Sequence, residues 1–494
     1  MRAWLLSIKN SFSRLKAETF KLRAASLHNL TSLPVPEFSP EAAAALREVF
    51  QASGFTTASS EGSSDRNPAL ATLVRLFVHA EVITVDEAAR VLSPLKLDEL
   101  IHSGLLHRDG GLVQSLLQAQ SYQGLIFFSD LRYHEHAEDY VLPVGPSGTH
   151  MARITIRRPV QSALDLGCGC GLQSLLTAQH CARVTATDIN PRALAMTRLN
   201  AVLNGVTNIE LLEGSYLEPV KGRGFDLILA NLPYVISPEN KLIYRDATGD
   251  AYLHQLIHEI PAYLTEGGFA QLLSNWIHGK DEPWWVPLEK TLEELSVDTW
   301  LIRNGSLGPE AYADWWLRND SRFKNNKRKY AKTKKDWVEW YREQGIEKIA
   351  IGDIALRRRA SGPSWISSSS LTRVVETPAG EQLVRMFETQ DYLADLPDDD
   401  TLLEAVLLPV EMEIRPEEDT GTLKAVTTAG LSFQAGISPL TAEVIRGLDG
   451  RTSLRTAIQK TGQAGEDGLD LDPTLLLEIQ ILLGMGMLVP SLAG

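Results

Sequence analysis

Residues 163–171 read Ala-Leu-Asp-Leu-Gly-Cys-Gly-Cys-Gly, an apolar run that ends in three alternating glycines. A helical pattern follows at once, with Leu172, Leu175 and Leu176 on one face. Strand, glycine turn and helix in that order predict the first βα unit of a doubly wound α/β sheet, whose ligands sit beyond the carboxyl ends of the strands. Such a turn needs glycine because a backbone without Cβ can approach a ligand closely. The spacing argues against a dinucleotide cradle: that fingerprint is G-x-G-x-x-G, whereas Gly167, Gly169 and Gly171 fall at every second position. Downstream, Arg183 to Asp188 is a short alternating run ending in an acid, the place where these sheets hydrogen-bond a ribose diol. Asp188 is equally placed to cap a helix starting near Pro191, and the two roles are compatible.

A second apolar run, Phe225 to Ala230, leads into Asn231-Leu-Pro-Tyr234. Amides and exocyclic aromatic amines are poor nucleophiles because their lone pair is delocalised, so a site that activates one must hold its N–H groups with acceptors. Asn231 supplies a side-chain carbonyl and Leu232 a main-chain carbonyl, one for each hydrogen of an –NH2 group. Pro233 removes a competing N–H and stiffens the loop, and Tyr234 offers a flat face to a planar group. Asn and Pro also favour turns for conformational reasons alone. The place of this loop after a strand of the same sheet favours the chemical reading.

The stretch from about Asp139 to Trp276, a little over a quarter of the chain, resembles the class I S-adenosylmethionine-dependent methyltransferases. Within them it is similar to the amino- and amide-nitrogen group that includes release-factor glutamine methyltransferases. The resemblance implies a Rossmann-like sheet of seven strands and S-adenosyl-L-methionine as methyl donor. By the same likeness Asp165, Gly167, Gly169 and Gly171 hold the methionine part, Asp188 the ribose, and Gly214 with Ser215 the adenine edge. Ser215 departs from the family, which usually has an acid there. Leu232 is a second departure: the commoner motif is Asn-Pro-Pro-Tyr, and Asn-Leu-Pro-Tyr resembles that of rRNA adenine dimethyltransferases. The flanks, Val235 to Pro238, Tyr244 to Asp246 and Gly267-Gly268, look more like the amide-nitrogen group. Catalysis would then be mainly positioning, with the acceptor nitrogen held roughly 3 Å from the sulfonium methyl.

The 494 residues leave room for about three domains. No apolar run approaches the roughly 18 residues that span a bilayer, so stable membrane insertion is not expected. A net charge of −14 excludes a protein that is basic overall and coats nucleic acid, though not a local basic patch. The three cysteines, Cys168, Cys170 and Cys181, suit a reducing compartment, so a cytoplasmic protein is expected. Cys168 and Cys170 read as small loop side chains, and no metal site is predicted.

Four segments are expected. Residues 1–67 form an extension, with Trp4, Ile8, Phe12, Leu15 and Leu22 at helical spacing, and a Ser/Gly-rich linker. Residues 68–122 resemble a winged-helix module: Leu73, Leu76 and Phe77 mark one helix, Thr84 and Glu87 a capping box, Leu97, Leu100 and Ile101 a third helix, and Asp109-Gly110 a wing turn. Residues 123–360 make the methyltransferase domain, closing on a strand at Ile349 to Arg358. Residues 361–494 form an accessory domain, entered by a Ser-rich linker (Ser361 to Ser370) and winged-helix-like near its end. Between 318 and 335 lie Arg318, Arg322, Lys324, Lys327, Arg328, Lys329, Lys332, Lys334 and Lys335, with Phe323 and Tyr330 among them. That run suits RNA contact, and equally a solvated helix face. The expected reaction is methylation of an amide or amino nitrogen on a macromolecule, with a protein glutamine leading. An RNA base amine and a small-molecule amine are the alternatives. A protein that binds the cofactor without turnover is disfavoured by intact Asn231, Pro233 and Tyr234.

Overall fold

The computed structural model describes residues 34–56, 67–131, 137–239, 249–318, 320, 323, 326–417, 422–462 and 473–491, with the backbone alone of 245–246. The amphipathic segment before Leu30, most of the first linker, Tyr244, Arg322 and Lys324 lie outside the described residues. The chain divides into two compact units, Met1–Pro146 with Leu164–Lys221, and Ser147–Ala163 with Gly222–Gly494.

The first unit opens on α1 (Pro40–Ala52), capped by the Ser39 hydroxyl and burying Ala43, Leu46, Val49 and Phe50. Residues 40–52, expected within an extension and linker, are thus a packed helix. Next come α2 (Pro68–Leu73), β1 (Ile83–Thr84), α3 (Val85–Leu92), α4 (Leu97–His102), β2 (Leu106–Asp109) and β3 (Leu112–Ser115). The three strands form an antiparallel sheet in the order β1-β3-β2. The capping box of α3 is present: the Thr84 hydroxyl accepts the Glu87 N–H at 3.2 Å, and the Glu87 carboxylate accepts the Thr84 N–H at 2.8 Å. A hairpin of β4 (Leu117–Tyr122) and β5 (Leu125–Asp130) follows. After α5 (Pro146–Ile154) the chain enters β6 (Val160–Leu166), α6 (Leu172–Thr177), β7 (Cys181–Asp188), α7 (Pro191–Asn204) and β8 (Ile209–Glu213).

Two asparagines one turn apart on α7 hold the hairpin edge. Asn200 accepts the Phe128 N–H at 2.8 Å and donates to the Phe128 carbonyl at 2.9 Å, and Asn204 pairs in the same way with both backbone groups of Ile126. A strand edge that would otherwise carry unpaired backbone groups is thereby satisfied by side chains. Asn200 also donates to the Cys170 carbonyl at 2.8 Å, so the same residue steadies the glycine loop.

In the second unit β9 (Phe225–Ala230) runs parallel to β12 (Leu264–His278), with Ala230 beside Leu272. β12 pairs antiparallel with β14 (Lys348–Arg358), β14 antiparallel with β13 (Val297–Leu307), and β13 parallel with β15 (Ile366–Ser370). With β6, β7 and β8 these make a mixed sheet of eight strands, one more than expected. The added strand is β15, which lies in the stretch read as a Ser-rich linker. An edge strand pairs through its backbone on one side only, and serine supplies those N–H and C=O groups as well as a β-branched residue does.

Between β13 and β14 the chain forms a helical pair, α10 (Pro309–Arg318) and α11 (Lys327–Glu343). Their buried faces, Tyr312, Ala313, Leu317, Trp337 and Tyr341, share a core with Val235 and Ile236 of β10 (Val235–Ile236). Beyond β15, α12 (Gly380–Asp395) lays Leu383, Val384, Met386 and Phe387 in one cluster with Trp300, Ile302 and Ala355 of the sheet. Buried Asp298 receives both Arg357 and Arg359, and Asp391 of α12 joins the same pair of arginines. Each charge there has a partner, as burial requires. Near the end of the chain an Asp449-Gly450 turn lies between two helices, Pro439–Arg446 and Leu454–Lys460. Among the described residues no helix is long and apolar enough to cross a membrane.

Candidate active site

The glycine loop after β6 is built on left-handed backbone. Gly167, Gly169 and Gly171 take φ of +70°, +56° and +81°, where any Cβ is strained. Their surroundings differ. A Cβ on Gly171 would stand 2.9 Å from Leu175 Cδ1 and Thr197 Cγ2, so this glycine lets α6 and α7 close together. A Cβ on Gly169 would meet nothing within 4 Å, so its backbone faces open space.

Asp188 pins the loop. One carboxylate oxygen accepts the Gly169 N–H at 3.0 Å and the other the Asn190 N–H at 2.9 Å. Burial raises its pKa, and these backbone donors work against the rise. The cap of α7 is Asn190 instead, whose side chain accepts the Arg192 N–H at 2.9 Å. Asp165 is buried and accepts the Ser174 hydroxyl at 2.5 Å. Burial pushes its pKa up to about 6, with the Ser174 hydrogen bonds opposing and the Asp188 charge adding to the rise. Gly214 donates to the Asp188 carbonyl at 3.1 Å, and a Cβ there would lie 2.4 Å from Pro219 Cγ. Its glycine therefore has a packing reason of its own. The Ser215 carbonyl accepts the Glu218 N–H at 3.0 Å.

Two apolar side chains beside these residues were not singled out from the sequence. Ile189 is 52% exposed directly after Asp188, and Tyr216, directly after Ser215, is 41% exposed with φ of +48°. An apolar residue immediately after a strand-ending acid was the available signal. Cys168 and Cys170 are buried, and burial raises both thiols, Cys170 to about 12. They stay protonated at neutral pH, which suits packing better than metal ligation.

In the second unit, β9 delivers Asn231-Leu-Pro-Tyr234 into β10. The Asn231 Oδ1 is buried and has no hydrogen-bond partner among the described residues. Leaving a carbonyl in that state costs on the order of 1–3 kcal/mol, which a ligand N–H would recover. Tyr234 is half-buried, its hydroxyl bonded to the Ser147 side chain and its ring centroid 6.0 Å from that of Trp316 on α10. Leu232, Pro233 and Tyr234 form one wall of a pocket completed by Leu253 and Leu256 of α8 (Ala251–Glu259) and the end of β12. The walls are mainly apolar, with a few polar groups, as in small-ligand sites.

Residues 148–297 match the methyltransferase small domain family. The chain carries a methyltransferase small domain. Its α/β fold with a large mixed sheet is that of the class I methyltransferases. Asp165, the three glycines, Asp188, Gly214, Ser215 and Asn231 to Tyr234 all fall inside the methyltransferase small domain, whereas α10, α11 and everything after β13 lie beyond it. Residues 38–116 match a domain of unknown function, DUF7059, which includes α1.

A Methanocaldococcus jannaschii protein named a putative protein N5-glutamine methyltransferase is 36% identical over 131 residues, 25% of this chain and 66% of that protein. The release factor glutamine methyltransferase of Yersinia pestis is 38% identical over 127 residues, 23% of this chain and 46% of the relative. That of Salmonella typhimurium is 32% identical over 143 residues, 25% of this chain and 50% of the relative. The chain thus spans about half to two thirds of the length of these relatives.

Proposed function

We propose that this protein transfers a methyl group from S-adenosyl-L-methionine to the side-chain amide nitrogen of a glutamine in a protein. Asn231 carries the reading: a buried carbonyl with no partner among the described residues, between the pocket-lining Ala230 and Leu232, is an acceptor held ready for an N–H donor. The relatives named for glutamine methylation support the same acceptor. S-adenosylmethionine, when bound, supplies an electrophilic methyl on a sulfonium. The chain's part is to hold the nitrogen: Asn231 and the Leu232 carbonyl take its two hydrogens, and Tyr234 lies against the plane of the amide. No strong base is needed, because the proton becomes acidic once the methyl is on.

Asp165, Gly167, Gly169 and Gly171 fit the methionine part, Asp188 the ribose, and Gly214, Ser215 and the exposed Ile189 the adenine. The open space at Gly169 and the buried carboxyl of Asp165 suit a cationic ligand whose chain passes close to backbone. Binding is expected without any acceptor present, and titration calorimetry giving no heat with S-adenosylmethionine or its demethylated product would remove the assignment.

The Asp165 pKa gives binding a pH dependence. A cation beside Asp165 favours its ionised form, and in the ligand-free protein that form prevails only above about pH 6. Affinity should therefore fall as pH drops from 7 through 6 and below, by up to about tenfold per unit, with proton release on binding. Asp165→Asn should flatten this profile. A profile that stays flat between pH 5 and 7 in the wild type would contradict the role given to Asp165.

We read α2 to β3 as a winged-helix-like module that docks protein. Its α4 presents Asp98 and Glu99 and is not basic. The C-terminal helices are a second candidate for docking. A further reading, RNA contact through residues 318–335, is favoured by α11: Lys327, Arg328 and Lys332 are exposed and make no ion pair among the described residues, and nearby Trp315 is 46% exposed. Lys334 and Arg318, by contrast, are engaged by Asp314. If the three exposed cations meet phosphates, their replacement by Gln should lower the log–log salt slope of single-stranded RNA binding by about 2. Equal slopes would leave the run as a solvated face.

A further inference from the structure

Asn275, near the carboxyl end of β12, is 2% exposed and lines the pocket beside Leu232, Pro233 and Tyr234. One end of its amide, placed as Nδ2, lies 2.6 Å from the Tyr312 hydroxyl of α10. The other end, placed as Oδ1, is buried without a hydrogen-bond partner among the described residues. The Tyr312 hydroxyl also accepts the Ile236 N–H at 3.2 Å.

In that placement the hydroxyl takes two N–H donors, and its own proton has no assigned acceptor. Rotating the amide by half a turn removes both difficulties. Tyr312 then donates to Oδ1 while still accepting from Ile236, and 2.6 Å is an ordinary O–H···O length but short for N–H···O. Oxygen and nitrogen of an asparagine are rightly assigned from such networks. The end with no partner becomes Nδ2, a buried donor in a pocket lined by Ala230 and Leu232, the chain neighbours of Asn231, whose own Oδ1 is buried without a partner among the described residues. An acceptor and a donor together are the complement of a primary carboxamide, which offers N–H groups and one carbonyl oxygen.

We propose that Asn275, fixed by Tyr312, donates to the carbonyl oxygen of the acceptor carboxamide and so selects it over amines that lack that oxygen. The inference rests on the glutamine reading above. Asn275 touches the acceptor, and Tyr312 is a positioning residue supplied by a helix beyond the methyltransferase small domain. A site built to hydrogen-bond one polar group rejects analogues without it far more strongly than an apolar wall can.

The test uses the full-length protein, labelled S-adenosylmethionine and the protein fraction of a cell extract, reading labelled methylamine released from methylated glutamine by acid hydrolysis. Asn275→Leu should raise the apparent KM for the extract by roughly tenfold or more, with a smaller effect at saturation and unchanged S-adenosylmethionine affinity by calorimetry. Tyr312→Phe should give a milder loss of the same kind. Asn275→Asp distinguishes donor from acceptor: only its protonated carboxyl can donate, so its rate relative to wild type should fall as pH rises. The ionisable groups around this end of the pocket among the described residues, Tyr234, Tyr252, Asp250 with His254, Tyr312 and Asp353, are the same in both proteins. A relative rate that rises with pH, or a wild-type KM in Asn275→Leu, would overturn the proposal and leave the glutamine reading intact. If the wild type itself releases no labelled methylamine, the glutamine reading fails and this inference with it.

Discussion

Asn231→Ala is expected to lower turnover on a glutamine acceptor by roughly 10²-fold or more while leaving S-adenosylmethionine affinity near the wild-type value. Among the described residues, those assigned to the cofactor make no hydrogen bond to this side chain: Asp165 leans on Ser174, and Asp188 on the Gly169 and Asn190 N–H groups. What alanine removes is an acceptor that nothing in the described protein occupies. The same fact predicts a second effect. Because the wild type carries a buried carbonyl without a partner, the substitution should not lower the melting temperature and should raise it slightly. Loss of turnover with equal or better stability marks a group kept for its ligand. Near-normal turnover in Asn231→Ala would sink the proposed handling of the nitrogen, and a large fall in melting temperature would mean that the side chain is structural.

Asp188→Ala should have the complementary signature, weakening the cofactor by about 10- to 10²-fold. The change leaves two backbone N–H groups, those of Gly169 and Asn190, without their acceptor, and it removes the carboxylate assigned to the ribose diol. Loop and ligand are therefore loosened together. Calorimetry with S-adenosylmethionine and with its demethylated product should show the same loss for both, since neither the transferred methyl nor the acceptor is involved. Unchanged affinity for either ligand would remove Asp188 from the site.

What could be read in the sequence was local. The alternating glycines after an apolar run announced a tight turn between strand and helix, because a backbone without Cβ can take the left-handed φ found at all three, and Thr84 with Glu87 announced a cap because both hydrogen bonds close within one turn. Ile349 to Arg358 was read as a strand of the sheet and is one. The rest depended on partners distant in the chain. Ser367 to Ser370 reads as a linker until β13 is found beside it. Asn200 and Asn204 look like ordinary polar positions on a helix until the hairpin edge they satisfy is present. Asn275 gave no signal at all, because its meaning comes from Tyr312, 37 residues later, and from the pocket that it lines. The basic run was legible as charge, but not that Asp314, a turn before it, engages Arg318 and Lys334.

The central claim, methylation of a protein glutamine, is tested most directly by following the label. The protein is incubated with S-adenosylmethionine radiolabelled in its methyl group and a cell extract, and the extract is then separated into protein, RNA and small-molecule fractions. Glutamine methylation predicts that label enters protein, that acid hydrolysis releases it as methylamine, and that Asn231→Ala abolishes the signal. Label in RNA that resists protease, or in the small-molecule fraction, with none in protein would contradict it.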